Sequence, residues 1–186
     1  MKKLVVLLTA LSVSFSLAAC SSDQSSNADT QSKENTVEKN TEKEKTKKTT
    51  YDSKEQEEFV KTMKSDTDFN TYVNKYYNLP SDVRTSTYDK FIYKKEVIWS
   101  GTVADSLSDS VIVYGGKDGY NGEDWSTLSS TKADLLPYVF VAELKDKTQL
   151  ATIKKGQTVK VKGEIGSRGD KESNFNWKLY EAEIVK

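Results

Sequence analysis

The residue types that most often do chemistry near neutral pH are scarce in this chain. It has no histidine and one cysteine, Cys20, which excludes Ser-His triads, imidazole metal sites and a catalytic thiol held by an imidazole. Carboxylates are plentiful, but their spacing alone pairs no two of them for acid–base work. No P-loop or glycine-rich dinucleotide turn is present. The densest run of functional groups is Gly115-Gly116-Lys117-Asp118-Gly119-Tyr120-Asn121-Gly122-Glu123-Asp124-Trp125. Asp118, Asn121, Glu123 and Asp124 are oxygen donors of the kind Ca²⁺ takes. Their spacing is not that of an EF-hand loop, however, and Gly, Asn and Asp are also what turns use. No metal and no cofactor is expected.

Tyr120 and Trp125 are better candidates. Two aromatics in a glycine-rich loop offer large rigid area, either to clamp a ligand or, for Trp125, to fold back as a lid on one end of the barrel. Together with Tyr114 and Trp177 they form the candidate ligand-binding set, while Trp99, Val103, Phe140, Val159 and Val161 are expected in the core. This inventory points to a non-catalytic binding protein rather than an enzyme.

Cys20 has a specific setting. Met1-Lys2-Lys3 precedes an apolar run from Leu4 to Val13, then Ser14-Phe15-Ser16 and Leu17-Ala18-Ala19-Cys20. A charged start, an apolar stretch and a small-residue cleavage point make an export signal. The run is shorter than the roughly 20 apolar residues needed to span a bilayer. Leu17-Ala18-Ala19-Cys20 resembles the lipobox of bacterial lipoproteins. That resemblance implies cleavage before Cys20, a diacylglyceryl, palmitate-type anchor on its sulfur, and a place on the extracytoplasmic face of the cell membrane. Two acyl chains hold a protein stably at a membrane where one does not. With the thiol acylated, the mature chain has no disulfide and must fold on its apolar core alone.

Residues 1–19 are the leader. Residues 20–50 are Cys20 and a polar stretch with only Ala28 and Val37 as apolar interruptions, which cannot bury a core and is expected to be a disordered tether. As a coil it reaches about 30 Å, and fully stretched about 100 Å. Residues 51–186 carry 20 Lys and Arg against 22 Asp and Glu, a net charge of −2 that disfavours nucleic acid.

Within 51–94, two short helices are predicted at about 53–64 and 67–77. Phe69, Tyr72, Val73 and Tyr76 fall at helical spacing, and Ser65 to Asp68 has the form of a helix start. From 95 to 186 the period changes. Val97 to Val103, Ser110 to Tyr114, Tyr138 to Leu144, Val159 to Ile165 and Asn176 to Val185 read as five strands separated by turn residues. The class is α+β, two helices followed by a five-stranded barrel. Val97-Ile98-Trp99-Ser100-Gly101-Thr102-Val103 resembles the first strand of an OB-fold, Lys155 to Ile165 its fourth, and Trp177 to Val185 its fifth. Over about 90 residues the chain resembles the OB-like (tRNA-anti-like) domains of small Gram-positive-type surface lipoproteins. A departure is Thr148 to Ile153, only one or two turns long where many OB-folds place a helix.

The resemblance implies a membrane-anchored binding module for a protein, peptide or glycan outside the cell, on the strand 2–3 face and nearby loops. Two other functions fit the same residues. One is a bacteriocin-immunity or phage-exclusion lipoprotein. The other is a leader trimmed, within Ser12 to Ala19, into a short hydrophobic signalling peptide.

Overall fold

The computed structural model describes residues 49–186. The leader, Cys20 and the tether as far as residue 48 lie outside the described residues. Among those described, no helix is long and apolar enough to cross a membrane.

Helix α1 (Lys54–Thr62) starts on Ser53, whose hydroxyl accepts the Gln56 N–H at 3.1 Å. Glu55 and Glu57 stand in its first turn, where the helix dipole favours acids. Helix α2 (Phe69–Tyr77) starts on Asp68, whose carboxylate accepts the Thr71 N–H at 2.9 Å. The cap is thus three residues beyond Ser65. The Ser65 carbonyl instead accepts the Ile98 N–H at 2.6 Å, and Thr67 accepts the Lys64 N–H at 2.8 Å to close a turn. Helix α3 (Ser81–Thr87) begins directly after Pro80 and runs into a π-helical turn, Tyr88–Ile92. Proline's fixed φ suits a helix start, so the residue that ends α2 also opens α3. Gln56, fully buried, ties these helices together. Its amide donates to Thr87 Oγ1 at 3.0 Å and Ser86 Oγ at 3.1 Å, and its carbonyl accepts the Asp52 N–H at 2.7 Å.

Five strands follow: β1 (Glu96–Ser106), β2 (Ser110–Tyr114), β3 (Val139–Leu144), β4 (Thr158–Ser167) and β5 (Trp177–Val185). They close into a barrel in the order β1-β2-β3-β5-β4. Every pair is antiparallel except β3 with β5. The class is α+β, a closed five-stranded barrel with helices, consistent with an OB-like domain. Closure leaves no sheet edge to pair with other chains. Gly101 permits it locally, since a Cβ there would lie 2.3 Å from the Tyr114 carbonyl oxygen on β2.

The barrel interior holds Val97, Trp99, Val103, Val111, Val113, Phe140, Val159, Val161, Ile165, Trp177 and Leu179. Helix α2 plugs it. Phe69 packs against Trp99, Phe140 and Trp177 with ring centroids 4.7, 5.0 and 6.4 Å apart, in the edge-on geometry aromatic quadrupoles prefer.

Strands β2 and β3 differ from the others. β1 and β4 alternate between inside and solvent, whereas all five residues of β2 and five of six in β3 are buried. Two-sided burial requires a cover on the outer face. The connection 115–138 supplies it through helix α4 (Trp125–Ser130) and a 3-10 turn (Ala133–Tyr138). Leu128, Leu135 and Leu136 lie over Ile112, Val139 and Val141, making a second, external core.

Candidate functional site

The 115–138 connection contains three of the four residues picked out by sequence or stands beside them. Tyr114, the last residue of β2, stacks on Tyr120 with centroids 4.7 Å apart and planes 18° from parallel. The Tyr114 hydroxyl donates to the Asp118 carbonyl, and Tyr120 donates to the Glu123 carbonyl at 3.0 Å. Burial, with the nearby Asp118 charge adding to it, pushes the Tyr114 hydroxyl up to about 12. Trp125 opens α4, with its backbone N–H on Asp105 Oδ2 at 3.2 Å and its ring against the external core. Tyr120 and Trp125 are both partly buried, so they brace the connection while keeping one side open to water. They cover the outer face of β2 and β3 rather than an end of the barrel.

Trp177 is a correction. It is fully buried in the barrel interior, ringed by Tyr72, Tyr76 and Trp99, and its indole N–H donates to the Tyr77 hydroxyl at 2.8 Å. Its first position on β5 points inward because β5 pairs in parallel with β3, placing Trp177 beside Phe140. Trp177 is core and cannot meet a ligand. Trp99, Val103, Phe140, Val159 and Val161 are buried beside it.

Two of the four oxygen donors of the connection, Glu123 and Asp124, are occupied by its own backbone. Asp124 caps α4 through the Thr127 N–H at 2.8 Å, and Glu123 accepts the Asn121 N–H at 2.6 Å. Those N–H groups hold both carboxyls below their usual range. Among the described residues, no group of three or more acidic, cysteine or histidine side chains could hold a metal ion.

Where α2 meets this connection, a groove of about 470 Å³ opens, lined by Asn70, Asn74, Tyr114, Lys117, Asp118, Asp134, Leu135 and Tyr138. Its walls are set by hydrogen bonds. The Tyr138 hydroxyl donates to Asn74 Oδ1 at 3.2 Å, the Asn74 amide donates to the Asn70 carbonyl at 2.8 Å, and Tyr77 donates to the Pro137 carbonyl at 2.8 Å. These bonds fix α2 against the 3-10 turn. Lys117, Asp118 and Asp134 are exposed and form no ion pair among the described residues. The groove therefore offers one ammonium, two carboxylates and the Asn70 amide around a partly apolar floor. Such a surface can orient a polar ligand by hydrogen bonds.

Of these residues, sequence reading singled out Tyr114 as a ligand contact and weighed Asp118 only as a metal donor. Asn70 and Asn74 were legible in principle, because amides at i and i+4 share one helix face. Their meaning depends on what that face meets, and spacing does not disclose that.

No family model matches this chain, and no curated protein matches it. Five chains of solved structures match. One is the YobA protein of Bacillus subtilis subsp. subtilis str. 168, with 13% sequence identity and a TM-score of 0.34 over 50% of this chain and 97% of that chain.

Proposed function

We propose that this protein is a lipid-anchored, extracytoplasmic lipoprotein whose OB-like barrel, plugged by α2, is a non-catalytic module binding a polar peptide or glycan. The observation that carries this reading is the groove between α2 and the 115–138 connection, where Lys117, Asp118, Asp134 and the Asn70 amide face open space with no side-chain partner among the described residues. In OB-folds the outer face of strands 2 and 3 is the usual binding surface. Here that face is roofed by the connection, so the ligand position moves to the roof's margin, beside α2. The anchor rests on the lipobox-like Leu17-Ala18-Ala19-Cys20.

Two measurements test the two halves of the proposal. Cys20→Ala should abolish metabolic labelling by a fatty-acid analogue, and label retained at wild-type level would refute the anchor. For the site, Lys117→Gln with Asp134→Asn alters only exposed groups. The full-length double variant should keep its melting temperature and lose capture of envelope peptides or muropeptides that wild type retains. Undiminished capture would remove the groove from consideration.

A further inference from the structure

The charge of the domain is unevenly spread. Residues 51–186 carry 20 basic and 22 acidic side chains, a net charge of −2. The connection 115–138 alone sets Lys117 and Lys132 against Asp118, Glu123, Asp124 and Asp134, also a net charge of −2, so the rest of the domain balances. Glu123 and Asp124 are taken up by the Asn121 and Thr127 N–H groups, and the charges of Lys132 and Lys155 reach them. Asp118 and Asp134 line the groove beside α2, are exposed, and form no ion pair among the described residues. Lys117 is the one cation among the lining residues.

The floor of the groove feels that excess. Burial first, then Asp118, Glu123 and Asp134, hold the Tyr114 phenol up at about 12. Burial, with Glu123, Asp105 and Asp124, raises Tyr120, which stacks on it. The charges that act most strongly on this pair are all negative, so the floor sits in a negative potential.

The shape and polarity of the lining narrow the ligand further. A sugar binds an aromatic by laying a ring flat on an open face. Tyr114 is 5% exposed and has one face covered by Tyr120, which leaves no such face there. The groove instead presents two carboxylates and the Asn70 amide beside an apolar strip of Leu135 and Tyr138. A basic side chain matches both parts, because its apolar stem can lie on the strip while its head meets the carboxylates. Arginine fits best, since its planar fork of donors suits carboxylates. The Asn70 amide both donates and accepts, as does a peptide main chain with its alternating N–H and C=O groups. A volume of about 470 Å³ holds a short peptide segment, being within the roughly 300–1,000 Å³ of ligand sites.

We infer that, given the groove as the binding site proposed above, its ligand is a basic peptide segment. Asp118 and Asp134 take an arginine head, Leu135 and Tyr138 its stem, and the Asn70 amide and Lys117 main-chain groups.

The test titrates the full-length protein in detergent, by calorimetry, with acetylated and amidated Ala-Arg-Ala-Arg-Ala. Counterparts with glutamine or glutamate in place of arginine, and neutral cellotetraose, are titrated beside it. The arginine peptide should bind at least tenfold more tightly than the other three, and more weakly as salt rises. Asp118→Asn with Asp134→Asn should weaken it at least tenfold, as loss of hydrogen bonds to charged groups does. Both side chains are exposed, so melting should not change. If melting falls, the single variants decide, each expected to weaken binding about threefold. Glu58→Gln with Glu183→Gln removes the same charge from exposed positions elsewhere and should bind as wild type. An equal loss in that control would reduce the effect to net charge and overturn the assignment. The variant Lys117→Gln, Asp134→Asn separates this inference from the groove itself. A glutamine peptide bound as tightly as the arginine one, and lost in that variant, would overturn the basic ligand and keep the groove. Arginine-peptide binding unchanged in both groove variants would overturn the two together. Tighter binding of cellotetraose, or no binding at millimolar arginine peptide, would also overturn the basic ligand, leaving the groove to the capture assay.

Discussion

Inside the barrel, Trp99 and Trp177 meet edge to face at 5.7 Å beneath the plug of α2, whereas outside it Leu128, Leu135 and Leu136 lie over Ile112, Val139 and Val141. Both clusters bury apolar surface, but they differ in who supplies it. The interior draws on all five strands and on helices distant in sequence. The external core is roofed by one contiguous connection, residues 115–138. To open the interior, ladders between strands must break. The roof can lift while every strand stays paired, which is how sub-global opening works in native proteins. The groove beside α2 borders the yielding region.

The largest expected effect breaks the interior. Trp177→Ala should cost about 3–5 kcal/mol, the range for large buried aromatics, read as a drop in denaturant midpoint. It leaves a cavity and strips the Tyr77 hydroxyl of its indole donor. A loss below about 1 kcal/mol would return Trp177 to the ligand-facing set.

Leu128→Ala tests the external core. Leu128 is fully buried there, and truncation should cost about 2–3 kcal/mol, the lower part of the leucine range. Hydrogen exchange should quicken across 115–138 while β4 and β5 stay protected. Uniform acceleration throughout the barrel would show that the two cores open together, and the contrast drawn above would fail.

Gln56→Ala should cost about 1–2 kcal/mol, because Thr87 and the Asp52 N–H lose buried partners. Its effect should stay on the helical side, with exchange faster in α1 and α3 and unchanged in 115–138. Faster exchange in 115–138 would join the helical plug to the roof.

The gentlest probe is alkali. Burial raises the Tyr114 hydroxyl from 10.0 to about 12, and raises Tyr72 and Tyr77 as well. A phenol whose folded pKa exceeds its unfolded value contributes stability fully below pH 10 and loses it as pH climbs toward 12. Tyrosinate absorbance and hydrogen exchange followed together should show the roof loosening over that window before the interior does. A single concerted transition would count against a separately yielding roof.

Much of this architecture was legible because periodicity is local. Phe69, Tyr72, Val73 and Tyr76 mark a helix face by spacing alone, and Val159-Lys160-Val161-Lys162 marks a strand with one wet side. Ser110–Tyr114 reads as a short β-branched strand and Tyr138–Leu144 as an alternating one, but the burial of both their faces shows only in the fold. The site was less legible. Tyr120 and Trp125 stand out as aromatics in a glycine-rich loop, but nothing in their spacing says that they lie on the outer face of β2 and β3. The α3 and π-turn region, 81–92, has no clean apolar stripe, since Val83, Thr87 and Ile92 are held by contacts to other elements. The cap of α2 is Asp68 rather than Ser65, whose carbonyl accepts the Ile98 N–H of a distant strand.

Residue types and spacing alone fixed the inventory and the periods: no histidine, one cysteine in a lipobox-like setting, a polar run over 21–50, and the helical and strand patterns that follow. Those are properties of residue types and near neighbours. Only the tertiary fold turns Trp177 inward, roofs β2 and β3 with 115–138, and brings Tyr88 and Tyr180 together at Gly166. The physical reason is that each depends on pairing between residues far apart in the chain. Barrel closure sets those pairings by total burial and hydrogen-bond satisfaction, and no short window of sequence carries them.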